Sequence, residues 1–440
     1  SNTFIELCNK HEVKFIFPKE GNKRFSNINP DKLGLYGKYE RLDHNEKRYN
    51  AWKQLFHIEQ LKFKFGKQEK AMRNFRRKTL KWKAATLYTF FGLPIIWSIY
   101  SYIKYNKLLK KVNVDMLNLF IKFKPDLIIH PCVLEGLFIN DLLQITKLEK
   151  IPSVVIMNSW DNPSTKSAMI GQPDWLLVWG EQTKNHSIQF CKMPKSKVVK
   201  FGAAQFEIYT KTSKFSKKKF DETYQFSKSE FILLYAGSSK GTNEIKQLNL
   251  LDEAINKGIL KNLKIIYRPH PWGQGGQNGE KIIDMKWKNI VFDKSMIIYL
   301  KQLKDGVRSK FLSDYEDTHD ILTNVDAVIS PLSTILIEAA IHGKPSLCFL
   351  PDIDKSMHFE IDSALVHFQD IFASKLFLKA NGYDELVTKT LKLIKFSKQE
   401  NLSKMLKEEA SYYVESFDQP YSKRLNEFVK TLKIVDNYEE

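Results

Sequence analysis

The sequence predicts an α/β protein of two doubly wound, Rossmann-like lobes facing across a cleft, and three observations carry that prediction. Its 440 residues exceed what one hydrophobic core usually supports, so two domains are expected. With 43% hydrophobic and 27% charged residues the composition is that of a globular protein. Short, continuously apolar runs alternate with helical segments in two separate stretches. Strands of that kind, apolar on both faces, belong to parallel sheet covered on each side by helices.

The elements follow in order. Thr3–Pro18 reads as the end of a helix (FIELCNKH) and then a strand (EVKFIFP). A helical region, Lys/Arg-rich and aromatic, fills about residues 45–115. Pro125–Ile129 is a strand, Gly136–Glu149 a helix, and Pro152–Met157, Trp175–Trp179 and Lys197–Phe201 are further strands. Residues 1–208 thus make a first lobe. The polar, Lys/Ser-rich stretch Tyr209–Ser229 is expected to link the lobes. A second lobe over 230–440 resumes with strand Phe231–Tyr235, a helix over about 243–257, and strands Leu263–Tyr267 and Ala327–Ile329. Helix Ile335–His342, strand Ser346–Leu350 and a helical tail from about Asp384 complete it. Ligands of such sheets sit beyond the carboxyl ends of the strands.

The net charge of +19 favours polyanions: nucleic acid, anionic lipid or a phosphorylated substrate. Between Lys62 and Lys83 lie ten Lys or Arg against the single acid Glu69. The uncharged run Ala84–Ile103 follows, then Lys104, Lys107, Lys110 and Lys111. Basic residues flanking an aromatic, apolar segment point to an anionic membrane surface through about residues 62–111. Tracking nucleic-acid phosphates needs no such run, and no nucleic-acid module is recognisable. Gly92 and Pro94 interrupt the run, so a buried or lobe-surface helical hairpin, or a monotopic membrane contact, is expected before a span. The four cysteines (Cys8, Cys132, Cys191, Cys348) have neither CxxC nor metal-ligand spacing, and no signal-peptide pattern opens the sequence. A cytoplasmic protein with free thiols, peripheral at the inner face of the plasma membrane, is the expectation, with no metal.

Chemistry concentrates in Asn324–Pro351, NVDAVISPLSTILIEAAIHGKPSLCFLP. A strand runs into Pro331, and Ser333 and Thr334 are expected to cap the helix they open, whose N–H groups and dipole suit an anion such as a diphosphate. Glu338 lies four residues on, one turn into the same helix face. Upstream, Arg268 and His270 stand in YRPHPWG at the end of a strand. In FILLYAGSSKG the small residues Gly237, Ser238 and Ser239 would let backbone approach a ligand. Asp314, Tyr315 and His319 are further residues able to line the cleft. His130-Pro131 is expected to be loop packing, and Asp352-Ile353-Asp354, though a DxD, a surface loop.

The order Gly-Ser-Ser, Arg-Pro-His-Pro, Ser-Thr and Gly-Lys-Pro resembles the C-terminal lobe of GT-B glycosyltransferases of bacterial surface-polysaccharide assembly. CMP-sialic acid and CMP-Kdo transferases share its His-Pro and Ser/Thr elements, and CDP-glycerol polyol-phosphate transferases a similar arrangement. NSWDNPSTK (158–166), PDWLLVWG (173–180) and FGAAQF (201–206) extend the resemblance, which covers about residues 120–370. It implies a metal-independent transferase with a nucleotide-sugar donor, CMP-linked before others, and no further cofactor. Arg268, His270, Ser333, Thr334 and Glu338 would hold the nucleotide end. The acceptor, a glycan or lipid-linked glycan, would meet the first lobe. There Asp161 is the first candidate base and Glu135 the second, with Trp160 to stack on a sugar and Asn162 beside it. Transfer of a polyol phosphate from a CDP-alcohol and sugar-nucleotide epimerisation are the alternative chemistries.

Overall fold

The computed structural model describes residues 2–19, 30–31, 34–35, 38–62, 66–132, 134, 136–166, 168–238, 242–273, 276–307, 314–351 and 365–436. The chain forms two compact units, Ser1–Ala204 with Val414–Glu440, and Gln205–Tyr413.

Unit 1 opens with α1 (Ile5–Lys10) and the parallel pair β1 (Phe15–Pro18) and β2 (Tyr39–Leu42). The basic, apolar region is then helical: α2 (Glu46–Leu61), α3 (Lys67–Thr79), α4 (Trp82–Phe91), α5 (Pro94–Leu109) and α6 (Val114–Phe123). Asn45 and Asn113 cap α2 and α6 by accepting from the N–H of Arg48 and Met116. Helices α4 and α5 meet at a 93° bend, and no single helix among the described residues is long and apolar enough to cross a membrane. Gly92 sits at that bend against α2, where a Cβ would lie 3.0 Å from the Leu61 carbonyl oxygen. Close packing and Pro94 together thus account for the break.

The main sheet follows: β3 (Ile128–Cys132), α7 (Ile139–Leu148), β4 (Ser153–Met157), α8 (Asn162–Lys166), β5 (Trp175–Val178), α9 (Glu181–Cys191) and β6 (Val198–Lys200). The four strands pair in sequence order and all in parallel. Val155, Met157, Leu176 and Val178 face one apolar layer, with Ile139, Leu143 and Cys191. Val154, Ile156 and Leu177 face the other. Asp141 of α7 fastens the helical region to this sheet. Its buried carboxylate receives Arg48 at 2.7 Å, the Trp52 indole N–H at 2.6 Å and the Asn113 amide at 3.0 Å. Fully bonded, it holds the buried charge without an unmet desolvation cost.

Unit 2 comprises α10 (Lys217–Tyr224), β7 (Phe231–Ala236), α11 (Glu244–Asn256), β8 (Leu263–Arg268), β9 (Ile290–Phe292), α12 (Ile297–Lys304), α13 (Tyr315–Asn324) and β10 (Ala327–Ser330). It continues with α14 (Ile335–Ile341), β11 (Ser346–Leu350), α15 (Val366–Ala373), β12 (Phe377–Asn381), α16 (Tyr383–Phe396) and α17 (Leu402–Tyr413). The sheet order is β12-β11-β10-β7-β8-β9, parallel throughout. Order therefore reverses between β7 and β10, which makes their carboxyl ends a topological switch point.

Two expectations about domain limits need correction. The stretch 209–229 is not a loose linker, because its few apolar residues are aromatic and buried: Phe220 and Tyr224 of α10 enter the core with Phe215 and Phe226. The tail does not stay with the second lobe either. After α17 the chain returns to unit 1, where α18 (Tyr421–Asp436) lays Tyr421, Leu425, Val429 and Leu432 on Val154, Ile156, Leu177 and Phe201. The Arg424 guanidinium donates to the Phe201 carbonyl at 2.9 Å and covers the Phe417 ring at 3.7 Å.

Candidate functional site

The switch point of unit 2 gathers most of the residues singled out from the sequence. Beyond β7, the Gly237 N–H donates to the Arg268 carbonyl at 2.8 Å. A Cβ at Gly237 would lie 2.6 and 2.7 Å from the carboxylate oxygens of Glu244, which would have to shift to admit it. Ser238 is wholly buried, and its N–H donates to Glu244 Oε1 at 3.1 Å. Tyr267 O–H donates to Glu244 Oε2 at 2.5 Å. The loop after β7 therefore closes on the first carboxylate of α11. Burial pushes that carboxyl up to about 7, although the Tyr267 and Ser238 donors pull it down. Gly273, in the loop after β8, approaches the Ser238 carbonyl so closely that a Cβ would stand 2.3 Å from it. Ser239 lies outside the described residues.

Arg268 differs from expectation. Its guanidinium is buried and bonded to Asp293, to the Ser295 hydroxyl at 3.0 Å and to Thr318 Oγ1 at 2.9 Å. A charge so placed acts through the field and through the elements it ties, β8, the end of β9 and α13, rather than as a cation presented to a ligand. His270 is half-buried, and its Nδ1 accepts from the Trp272 N–H at 3.0 Å. The neutral ring thus carries its proton on Nε2.

Beyond β10, Ser333 and Thr334 are half-buried. Thr334 is already helical (φ −59°, ψ −25°) and makes no side-chain cap, so the capping expected from sequence is absent. Its carbonyl accepts from Ile337 and Glu338 at 2.9 and 3.2 Å. The Ser330 hydroxyl at the end of β10 and the Thr242 hydroxyl before α11 are buried with no protein partner among the described residues. Glu338 is buried and accepts from Tyr209 O–H at 2.5 Å. Burial raises its pKa against the opposing pull of Tyr209 and the Arg268 charge, and burial likewise raises that of Tyr209.

Sequence reasoning missed what surrounds Glu338. Tyr209 stacks on His319 at 5.7 Å and meets His342 edge-on at 4.6 Å. His342 Nδ1–H donates to the Glu338 carbonyl at 2.7 Å, and His319 Nε2–H to the Lys211 carbonyl at 3.0 Å. Between the rings, His319 Nδ1 and His342 Nε2 share a bond of 2.9 Å. Three such bonds need three ring protons, one more than two neutral imidazoles hold. Burial drives His342 down to about 4. A His-x-x-x-His signal on one helix was not there to read, since the two rings come from α13 and the end of α14. Asp314 is the N-cap of α13, accepting from Glu316 N–H at 3.0 Å.

The residues expected on the acceptor side belong to unit 1. Asp161 follows β4 and is half-exposed; the hydroxyls of Ser159 and Thr165 donate to its carboxylate, the latter at 3.4 Å. Trp160 is 2% exposed, so the expected stacking on a sugar is closed to it. Asn162 is also buried and donates to Asn158 Oδ1 at 2.9 Å. Both serve the packing of the turn into α8. Glu135 lies outside the described residues, as does Asp352–Asp354. His130 stands in strand β3, not in a loop; its Nδ1 is buried with no hydrogen-bond partner among the described residues, and burial holds the ring down to about 4.

No protein-family model matches the chain, and no curated protein matches it in sequence. Among solved structures it is similar to a variant of the wall teichoic acid polymerase TagF, at 12% identity and TM-score 0.40. That match covers 63% of this chain and 62% of TagF, so it spans less than two thirds of that polymerase. It is similar to the UDP-GlcNAc 2-epimerase of Neisseria meningitidis bound to UDP-GlcNAc, at 15% identity and TM-score 0.43, covering 72% and 79% of the two chains. The UDP-GlcNAc 2-epimerase of Methanocaldococcus jannaschii matches at 14% identity and TM-score 0.40, covering 74% and 82%.

Proposed function

We propose that the chain is a metal-independent glycosyltransferase of the GT-B type, moving a sugar from a nucleotide-activated donor to a lipid-linked bacterial surface glycan at the cytoplasmic membrane face. The observation that carries this reading is the switch point. In a parallel sheet of this order, ligands lie where the strand order reverses. That crevice holds Gly237, Ser238, Ser333 and Thr334, two buried hydroxyls without partners and Glu338 one turn away. The motif resemblance supplies the ligand class, a nucleotide, with CMP favoured.

In this reading His270 Nε2–H and the hydroxyls of Ser333 and Thr334 bind the donor phosphate, while Glu338, held by Tyr209, accepts from ribose hydroxyls. Arg268 positions this wall and biases its potential towards anions. The acceptor hydroxyl attacks the anomeric carbon and the bond from that carbon to the phosphate oxygen breaks. The hydroxyl proton passes to a carboxylate base, for which Asp161 is the candidate, and the nucleotide leaves with the negative charge that the donor site stabilises.

Thermal-shift measurements with CMP, CDP, UDP and GDP test it. CMP is expected to raise the melting temperature, and Ser333→Ala with Thr334→Ala to abolish that rise while the unliganded protein stays folded. Polyol-phosphate transfer from a CDP-alcohol also releases CMP, so stabilisation by CMP or CDP supports the cytidine branches together; stabilisation by UDP or GDP alone would overturn the cytidine assignment, and stabilisation by none would sink the reading. Asp161→Asn is expected to keep the nucleotide shift and lose turnover at least about a hundredfold. Full activity in that variant would move the proton acceptor to Glu135.

A further inference from the structure

We propose that α4 and α5 form an interfacial wedge that seats the chain on an anionic phospholipid leaflet, the groove beside α5 taking one acyl chain of that leaflet. The inference deepens the membrane placement proposed above. It makes no use of the donor chemistry, so vesicle binding and nucleotide binding fail separately.

Exposed apolar residues concentrate here. Ile95 is 77% exposed, Trp82 74% and Tyr102 71%, while Leu87, Phe90, Ile99 and Ile103 are each more than half exposed. On α5, positions 95, 99, 102 and 103 recur at helical spacing and so share one face. The opposite face is satisfied, with Trp97, Tyr100 and Leu108 packed against Trp52 and its neighbours on α2. The outward stripe is therefore a surplus of apolar area that the core does not need. The 93° bend sets α4 and α5 at about a right angle, so the apolar path from Trp82 to Leu109 is an angular wedge and not one straight rod.

Charge selects the occupant. Exposed Lys70, Arg77, Lys78 and Lys81 precede the wedge, Lys83 and Lys107 stand exposed in its first and last turns, and exposed Lys110 and Lys111 follow it. No acidic residue occurs between Glu69 and Asp115. An apolar stripe bounded at both ends by cations alone complements acyl chains beneath a layer of phosphate headgroups.

The groove adds depth to the same surface. Trp52, Tyr105, Leu109, Leu143 and Leu148, with the polar Asn140, Gln144 and Lys147, line a cleft of about 230 Å³ between α2, α5 and α7. Tyr102, Tyr105 and Leu109 follow at steps of three and four, so the outward stripe runs into the groove along one ridge of α5. An acyl chain leaving the leaflet there keeps apolar contact throughout, with its headgroup phosphate beside Lys147.

The test is flotation of the full chain, without nucleotide, on vesicles of phosphatidylcholine alone or with about 30% phosphatidylglycerol. Binding to the anionic vesicles is expected, and it should fall as salt rises. Ile95→Asp with Ile99→Asp should abolish it, and Lys81→Glu with Lys83→Glu should weaken it at least about tenfold. All four positions are exposed, so circular dichroism and melting should remain as in the unsubstituted protein. A phosphatidylglycerol with a photoreactive acyl chain should label the Tyr105–Leu109 segment and Leu148. Equal binding to both vesicles would overturn the assignment to anionic lipid, and no binding would overturn the wedge. Self-association abolished by Ile95→Asp would replace the leaflet with a second copy of the chain. Labelling confined to residues 82–103 would remove the groove from the proposal.

Discussion

Glu244 is a carboxylate at the start of a helix, where the dipole favours charge, yet its surroundings favour the proton. The folded protein holds that proton up to about pH 7, against an ordinary value of 4.5. Folded molecules therefore bind more protons than unfolded ones across this window. Stability is greatest below about pH 4.5, falls as pH rises to 7 and is level above, a loss of roughly 3 kcal/mol from this group. Glu244→Gln is expected to remove the decline: little difference from the unsubstituted protein at pH 5, and a higher melting temperature at pH 8. Melting curves across that range check it, and a flat profile in the unsubstituted protein would contradict the burial argument. Nothing local in GTNEIKQ announces this behaviour, because the tyrosine that donates to Glu244 stands 23 residues on. Arg268 was opaque for the same reason, its partner Asp293 lying 25 residues away. Ser333 and Thr334 were legible in position, since strand, turn and helix are contiguous there. Their cap was not, since it depends on the backbone angles of one residue.

At the scale of elements, the long buried strands were legible because apolar residues dominate β4, β7, β8 and β11, with Lys264 the one charge inside such a run. Strand β9 has three residues and β12 carries Lys379 and Asn381, so neither offers such a run. Composition misled most between 209 and 229. Lysine and serine dominate there, yet each aromatic residue buries far more surface than a small aliphatic one, and four of them suffice to dock α10. The amphipathic pattern of α18 was visible, but its partner was not. A helix with an apolar face records only that it must be covered, and both sheets offer a surface of that kind.

For the whole molecule, chain path and compact units do not coincide. Unit 2 is one continuous segment with its own core, whereas unit 1 is assembled from two segments. A chain of residues 205–413 is accordingly expected to fold alone and to melt in one cooperative transition, with the nucleotide response described for the full chain. Calorimetry and the same thermal shifts decide it; an aggregated or non-cooperative product would show that unit 2 needs the flanking segments. Residues 1–204 expressed alone should not match it, because Val154, Ile156 and Leu177 would lose the cover of α18.

The return of the chain at Val414 also sets an order on the ribosome. Translation at about 5–20 residues per second spends roughly 10–40 s on unit 2 before α18 can emerge. Throughout that interval the sheet of unit 1 has one apolar face uncovered and its wedge already made. The nascent protein is thus stickiest while still attached, and a nearby membrane or a chaperone is its natural early contact. Unit 2, complete first, is the half that matures without waiting.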